Sequence, residues 1–218
     1  MEYSAGNVSN LLWFVEMRET AKLLQNHDVQ EVQRMVVEEN IYQQKAENRA
    51  RREFNCIKRR LDAVPEPLVK LMIDSDINTA KIIALIAAMA TDILLFELMY
   101  EVYRIKLNMD EDVLKDADLN MFFNRKIEQS DVVAGWSDSA IKKLKQTYCK
   151  YMQAAGLLGE PVKNERKINR PYVDIELRNI LLANNMEKYL YALIEEKVAD
   201  LRMKYLMHVR RRLKKFKR

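Results

Sequence analysis

Residues 76–109 read DINTAKIIALIAAMATDILLFELMYEVYRIKLNM, and this stretch limits the possible folds most severely. Through its first half every helical face is apolar, as in a helix surrounded by other helices. The most apolar run, IIALIAAMA over residues 82–90, is followed closely by Asp92 and Glu97. It is too short for a membrane span, which needs about 20 apolar residues. No membrane span is expected, and the run reads as the buried centre of a bundle. A break is predicted at Thr91 and Asp92, since either can cap a second helix that packs back on the first. Asp92 needs no catalytic role as a cap or buried acceptor. Only four Gly and four Pro punctuate the 218 residues, and the abundant Leu, Met, Ala, Glu, Lys and Arg lose little on entering a helix. The expected fold is therefore mainly all-α, with at most a short hairpin.

The remaining periodicity supplies the bundle's other members. A first helix is predicted from near Ser9, and Asp28 caps a short second one, VQEVQRMVVEEN. A third, over residues 44–64, sets Ala46, Ala50, Phe54, Ile57 and Leu61 at spacings of four, four, three and four, forming one apolar stripe. The acidic NMDEDVLKDAD reads as a linker. The expected organisation is an N-terminal helical bundle (1–107), a linker (108–117) and a helix-turn-helix-like half (118–218). In that half LNMFFNRKIEQ and the turn SDVVAGW precede a basic helix, SDSAIKKLKQTYCKYMQAAG, capped by Ser137 or Asp138 and stopped by Gly156. GLLGEPVKNERKINRPYV then fits two short strands around a basic loop. This is the layout of a winged helix-turn-helix, whose second helix enters the DNA major groove. A long helix is predicted from residue 185 to the C-terminus, because Leu190, Ile194, Val198, Leu201, Tyr205, Val209, Leu213 and Phe216 keep a helical repeat.

The net charge of +5 hides a local excess: residues 202–218 hold nine Lys or Arg and no acid, and without them 28 bases face 32 acids. Such a concentration suits a polyanion, either nucleic acid or an anionic membrane surface. Three basic surfaces stand out. The first offers Arg49, Arg52, Lys58, Arg59 and Arg60; the second Lys142, Lys143, Lys145, Lys150, Lys163, Arg166 and Lys167; the third Arg210, Arg211, Arg212, Lys214 and Lys215. They would act through phosphates, releasing condensed counterions. No clear set of base-reading side chains accompanies them, so binding is expected to be non-specific or shape-led. Double-stranded DNA is favoured over single strands because the basic stretches lack interleaved aromatics. A structured-RNA partner, an acidic protein partner docked on a scaffold, and peripheral membrane binding by the basic end are the competing readings.

Enzymatic chemistry is not expected. There is no phosphate-cradling loop, and His27 and His208 lack metal-ligand spacing. The pairs Glu38–Glu39 and Glu195–Glu196 are adjacent in sequence and so point in different helix directions. Cys56 and Cys149 lack CxxC spacing; a disulfide between them is one option, and free buried thiols in a cytosolic protein are the expected one. MEYSAGNVSN has no basic n-region, so no secretory signal is read. No cofactor, metal or small-molecule substrate is expected.

YSAG near the start, LLWFVEMRETAKLL, VVEENIYQQKAENRARREFNCIKRRL, the apolar helix with TDILLFEL, and the GLL that closes the basic helix resemble the BrxA family over residues 3–190. These are small helical components of BREX bacteriophage-defence systems. The resemblance implies a cytoplasmic, non-enzymatic protein with a helical core similar to the NusB fold. It also implies binding of double-stranded DNA through positive ridges, with other BREX components as partners. The basic extension after Tyr205 is less clearly a family feature, and its role rests on charge alone.

Overall fold

A computed structural model describes residues 2–194. The first half runs α1 (Phe14–Leu23), α2 (Val29–Val37), α3 (Glu47–Asp62), α4 (Glu66–Asp74), α5 (Ile77–Thr91) and α6 (Ile93–Asn108). Helix α5 is the hub. Its residues 82–89 are all at most 3% exposed, and α1, α3, α4 and α6 pack around it. That explains why it is apolar on every side. Among the described residues no single helix is long and apolar enough to cross a membrane.

The predicted break is present. Helices α5 and α6 meet at 117°, and Asp92 sits between them in an extended conformation. One of its carboxylate oxygens accepts the backbone N–H groups of Leu94 (3.1 Å) and Leu95 (3.2 Å), capping α6. The other accepts Asn7 Nδ2 at 2.6 Å and the Tyr148 hydroxyl at 2.9 Å. One buried side chain thus joins the bend, the N-terminal segment and the second half of the chain.

That half runs β1 (Val113–Lys115), α7 (Asp116–Gln129), α8 (Asp131–Ala134), α9 (Asp138–Ala154), β2 (Leu158–Val162), β3 (Glu165–Ile168), α10 (Ile175–Ala183) and α11 (Glu187–Tyr191). Ser137 caps α9, accepting from Ala140 N–H at 3.3 Å. Gly156 follows at φ 80°, the left-handed conformation that ends a helix. The protein is therefore mainly helical, as expected, with one small antiparallel sheet of order β1-β3-β2.

Three expectations need correction. The stretch 108–117 is not a linker: it contains β1, whose Val113 and Leu114 pair with Lys167 and Arg166 of β3. Its Glu111, together with Asp118 just beyond it, holds the buried Lys106, at 2.6 and 2.9 Å. Nor does α1 start near Ser9. The Leu11 and Leu12 carbonyls bond to Arg60 instead, and Trp13 is left-handed (φ 52°), so helix begins at Phe14. Finally, over the described residues the helix expected from residue 185 is only α11, followed by a turn to Ile194. Residues 195–218, with His208, the Glu195–Glu196 pair and Arg210, Arg211, Arg212, Lys214 and Lys215, lie outside the described residues.

One apolar cluster runs through both halves. Polar bonds cross with it: the Tyr103 hydroxyl donates to Asn169 O at 2.7 Å, and Thr147 Oγ1 to Val8 O at 3.3 Å. Lys126, 3% exposed, ties α7 to α6 through Glu97 (2.8 Å) and Glu101 (2.6 Å).

Candidate nucleic-acid interface

Four of the five stripe residues of α3, Ala50, Phe54, Ile57 and Leu61, are buried as predicted, whereas Ala46 is exposed and precedes the helix. Its outer face presents Arg49, Arg52 and Arg59, all exposed and without a carboxylate partner among the described residues. Lys58 is less available, because its ammonium is held by both oxygens of Asp62 at 2.6 and 2.7 Å.

Arg60 does not belong to this face. It is 1% exposed, so its guanidinium cannot reach a polyanion. Nη1 donates to Leu11 O and Leu12 O, each at 2.9 Å, and Nη2 donates to the Tyr151 hydroxyl at 2.7 Å. The guanidinium also lies over the rings of Trp13 and Tyr151, 5.7 and 5.1 Å from their centroids. Arg60, in the last turn of α3, therefore ties that helix to the segment just before α1 and to the last turn of α9.

On α9 the inward residues Ile141, Leu144, Tyr148, Tyr151 and Met152 are buried. Lys142, Lys143 and Lys150 point outward with no carboxylate partner among the described residues. Lys145 is half-buried, donates to Asn120 Oδ1 at 2.7 Å and lies over the Phe123 ring. Burial pulls its ammonium below the ordinary lysine value, with Asp116 partly offsetting this. In the hairpin, Lys163 stands at the exposed tip with φ 57° and Lys167 is exposed on β3. Arg166 turns back to Asp116 at 2.6 Å and is largely neutralised. Lys142, Lys145 and Arg166 line one groove of about 460 Å³ between α7, α9 and β3. Arg52 and Arg59 line a separate cleft of about 270 Å³ between α3 and the N-terminal segment.

The remaining reactive groups are structural. Both cysteines are free and buried, and burial pushes the Cys149 thiol up to about 11, which keeps it protonated and unreactive. His27 pairs with Glu31 across one helical turn at 2.9 Å.

Sequence reasoning missed Glu53. It is 1% exposed, and neither carboxylate oxygen has a hydrogen-bond partner among the described residues. Burial raises it from 4.5 to about 7, helped by the charge of Glu16 and opposed by Arg49. Above the unfolded value the folded state keeps a proton that the unfolded chain has lost, so stability falls as pH rises through this window. The full penalty above pH 7 is roughly 3 kcal/mol. Glu53→Gln is expected to unfold about 2 kcal/mol later than the parent at pH 8 and equally at pH 4. Urea titrations at the two pH values check this; a gain of the same size at both would remove ionisation as the cause.

Three similarities to known proteins accompany this geometry. The family model described as BrxA matches residues 1–185. A protein named BREX protein BrxA, from Bacillus cereus (strain H3081.97), is 36% identical over 176 residues, which covers 80% of this chain and 88% of that protein. A crystal structure of an uncharacterized protein from Magnetospirillum magneticum superposes with a TM-score of 0.75 at 20% identity. It covers 90% of this chain and 100% of its own, and at that identity the likeness concerns the fold alone.

Proposed function

The chain belongs to the BrxA family, and from that premise we propose that it is a non-enzymatic, cytoplasmic component of a BREX phage-defence system that holds double-stranded DNA by its phosphates. The observation that carries the reading is the presence of two basic helices linked through the core. Arg49, Arg52 and Arg59 of α3 and Lys142, Lys143 and Lys150 of α9 are exposed and form no ion pair among the described residues, and the buried Arg60–Tyr151 bond links the two helices through the core. A duplex backbone is a regular array of charge, and a rigid pair of cationic rows matches it better than mobile side chains do. The order β1, α7, α8, α9, β2, β3 supports the same reading. It is that of a helix-turn-helix followed by a hairpin, with α9 in the position of the helix that enters the major groove and Lys163 at the hairpin tip reaching the flanking backbone. The basic residues 202–218 would add to affinity in the same sequence-independent way.

Salt titration of duplex binding by the full chain tests the proposal. The log–log slope is expected to flatten by about 0.9 for each phosphate that is no longer neutralised. Lys142→Gln, Lys143→Gln and Lys150→Gln together should therefore reduce it by roughly 2–3, and charge reversal at Arg210, Arg211, Arg212, Lys214 and Lys215 by roughly 4–5. An unchanged slope removes the altered surface from the mechanism. Tenfold tighter binding of structured RNA at matched salt would replace duplex DNA as the partner. No salt-dependent binding of either, with co-purifying proteins, would favour a scaffold for acidic partners.

A further inference from the structure

The cleft beside α3 has features that a duplex surface does not require. Three segments distant in sequence enclose it: Asn7 and Asn10 from the N-terminal segment, Arg52 and Arg59 from α3, and Asp92 at the bend. Arg52 and Arg59 are seven residues apart, two turns on the same helix face and about 10 Å along its axis. Their long side chains can therefore close on one anion from opposite ends. Asn55 lies between them, exposed and without a hydrogen bond among the described residues.

The acids of the cleft oppose an anion only weakly. Asp92 already accepts four donors and faces the positive end of α6. Glu2 is exposed at the rim. A second, more open groove of about 560 Å³ continues from the cleft and shares Asn55, Arg59 and Thr91 with it. Ala63 and Ala90 give it apolar surface, and its one lining acid, Asp62, is held by Lys58.

We propose that this cleft is a binding site for a nucleoside phosphate monoester. The phosphate sits between Arg52 and Arg59, and the nucleoside lies in the adjoining groove over Ala63 and Ala90. A dianion matches two guanidiniums, whose forked donors suit phosphate oxygens. The polar recess has room for a phosphate, and the adjoining groove adds the volume and apolar surface that a small-ligand site needs, whereas the internal diesters of a duplex lie on a convex surface that would meet only its rim. The same chemistry is offered by a free nucleotide and by a 5′-phosphorylated strand end. The site stands independently of duplex binding through α9.

Isothermal titration of the full chain with AMP, adenosine and inorganic phosphate at low salt tests it. AMP is expected to bind at least tenfold tighter than adenosine. Arg52→Gln with Arg59→Gln should lose at least tenfold in AMP affinity, while Lys142→Gln with Lys150→Gln leaves it unchanged. Both arginines are exposed, so the double variant should keep the parent's circular dichroism. Equal binding of AMP and adenosine, or AMP binding indifferent to the arginines, overturns the site. A short duplex with a 5′-phosphate is then compared with its 5′-hydroxyl twin. Preference for the phosphorylated end assigns the site to strand termini, and equal affinity assigns it to free nucleotides.

Discussion

Arg60→Ala is expected to destabilise the protein by about 4 kcal/mol, as loss of several charge-assisted bonds inside a core does. The arginine is 1% exposed and donates to two carbonyls and a hydroxyl. Removing it strands three acceptors, the buried Leu12 carbonyl and Tyr151 hydroxyl among them, and leaves a cavity beside Trp13 and Tyr151. At about 2–4 °C per kcal/mol for a chain of this size, the midpoint should fall by roughly 10 °C. Arg60→Lys should recover less than half, because one ammonium cannot span the same three acceptors as a planar fork. Urea unfolding followed by circular dichroism measures both. A loss below about 1 kcal/mol would mean that the guanidinium is dispensable in the core.

Asp92→Ala is expected to cost about 3 kcal/mol. Roughly 1 kcal/mol comes from the lost cap of α6, and the remainder from leaving Asn7 and Tyr148 without their acceptor. Asp92→Asn should recover the cap but only part of the rest, because its amide would set donors against Asn7 Nδ2 and the Tyr148 hydroxyl. Thermal unfolding of the two variants separates these contributions. Equal midpoints for Ala and Asn would show that the carboxylate's second oxygen contributes little.

The bundle is legible in the sequence where the apolar pattern is long. The stripe of α3, the all-round apolar α5 and the break at Asp92 each depend on local side-chain chemistry spread over several turns. β1 is not legible. Its three residues form a strand only because β3, far along the chain, supplies the partner, and no local pattern carries that information. Burial of charge is hidden for the same reason, since Arg60 looks like its neighbours Arg59 and Lys58. A signal does exist: Glu53 and Arg60 each precede a stripe residue, Phe54 and Leu61, and each lies three residues after another, Ala50 and Ile57. That spacing places both on the flank of the stripe and turns them toward the core. The exposed rows of α3 and α9 are readable as charge, but the Arg60–Tyr151 bond that links the two helices exists only in the tertiary fold.

The pairing of Val113 with Lys167 also orders events during synthesis. The first strand leaves the ribosome some fifty residues ahead of its mate, and closing so large a loop is slow compared with winding the helices inside it. The β1 edge of the sheet is therefore locked in place late, after the intervening helices have formed. A nascent or truncated chain that lacks the second member of the pair would carry the helices but leave the first strand unpaired, so the three-stranded sheet becomes a property of the finished molecule.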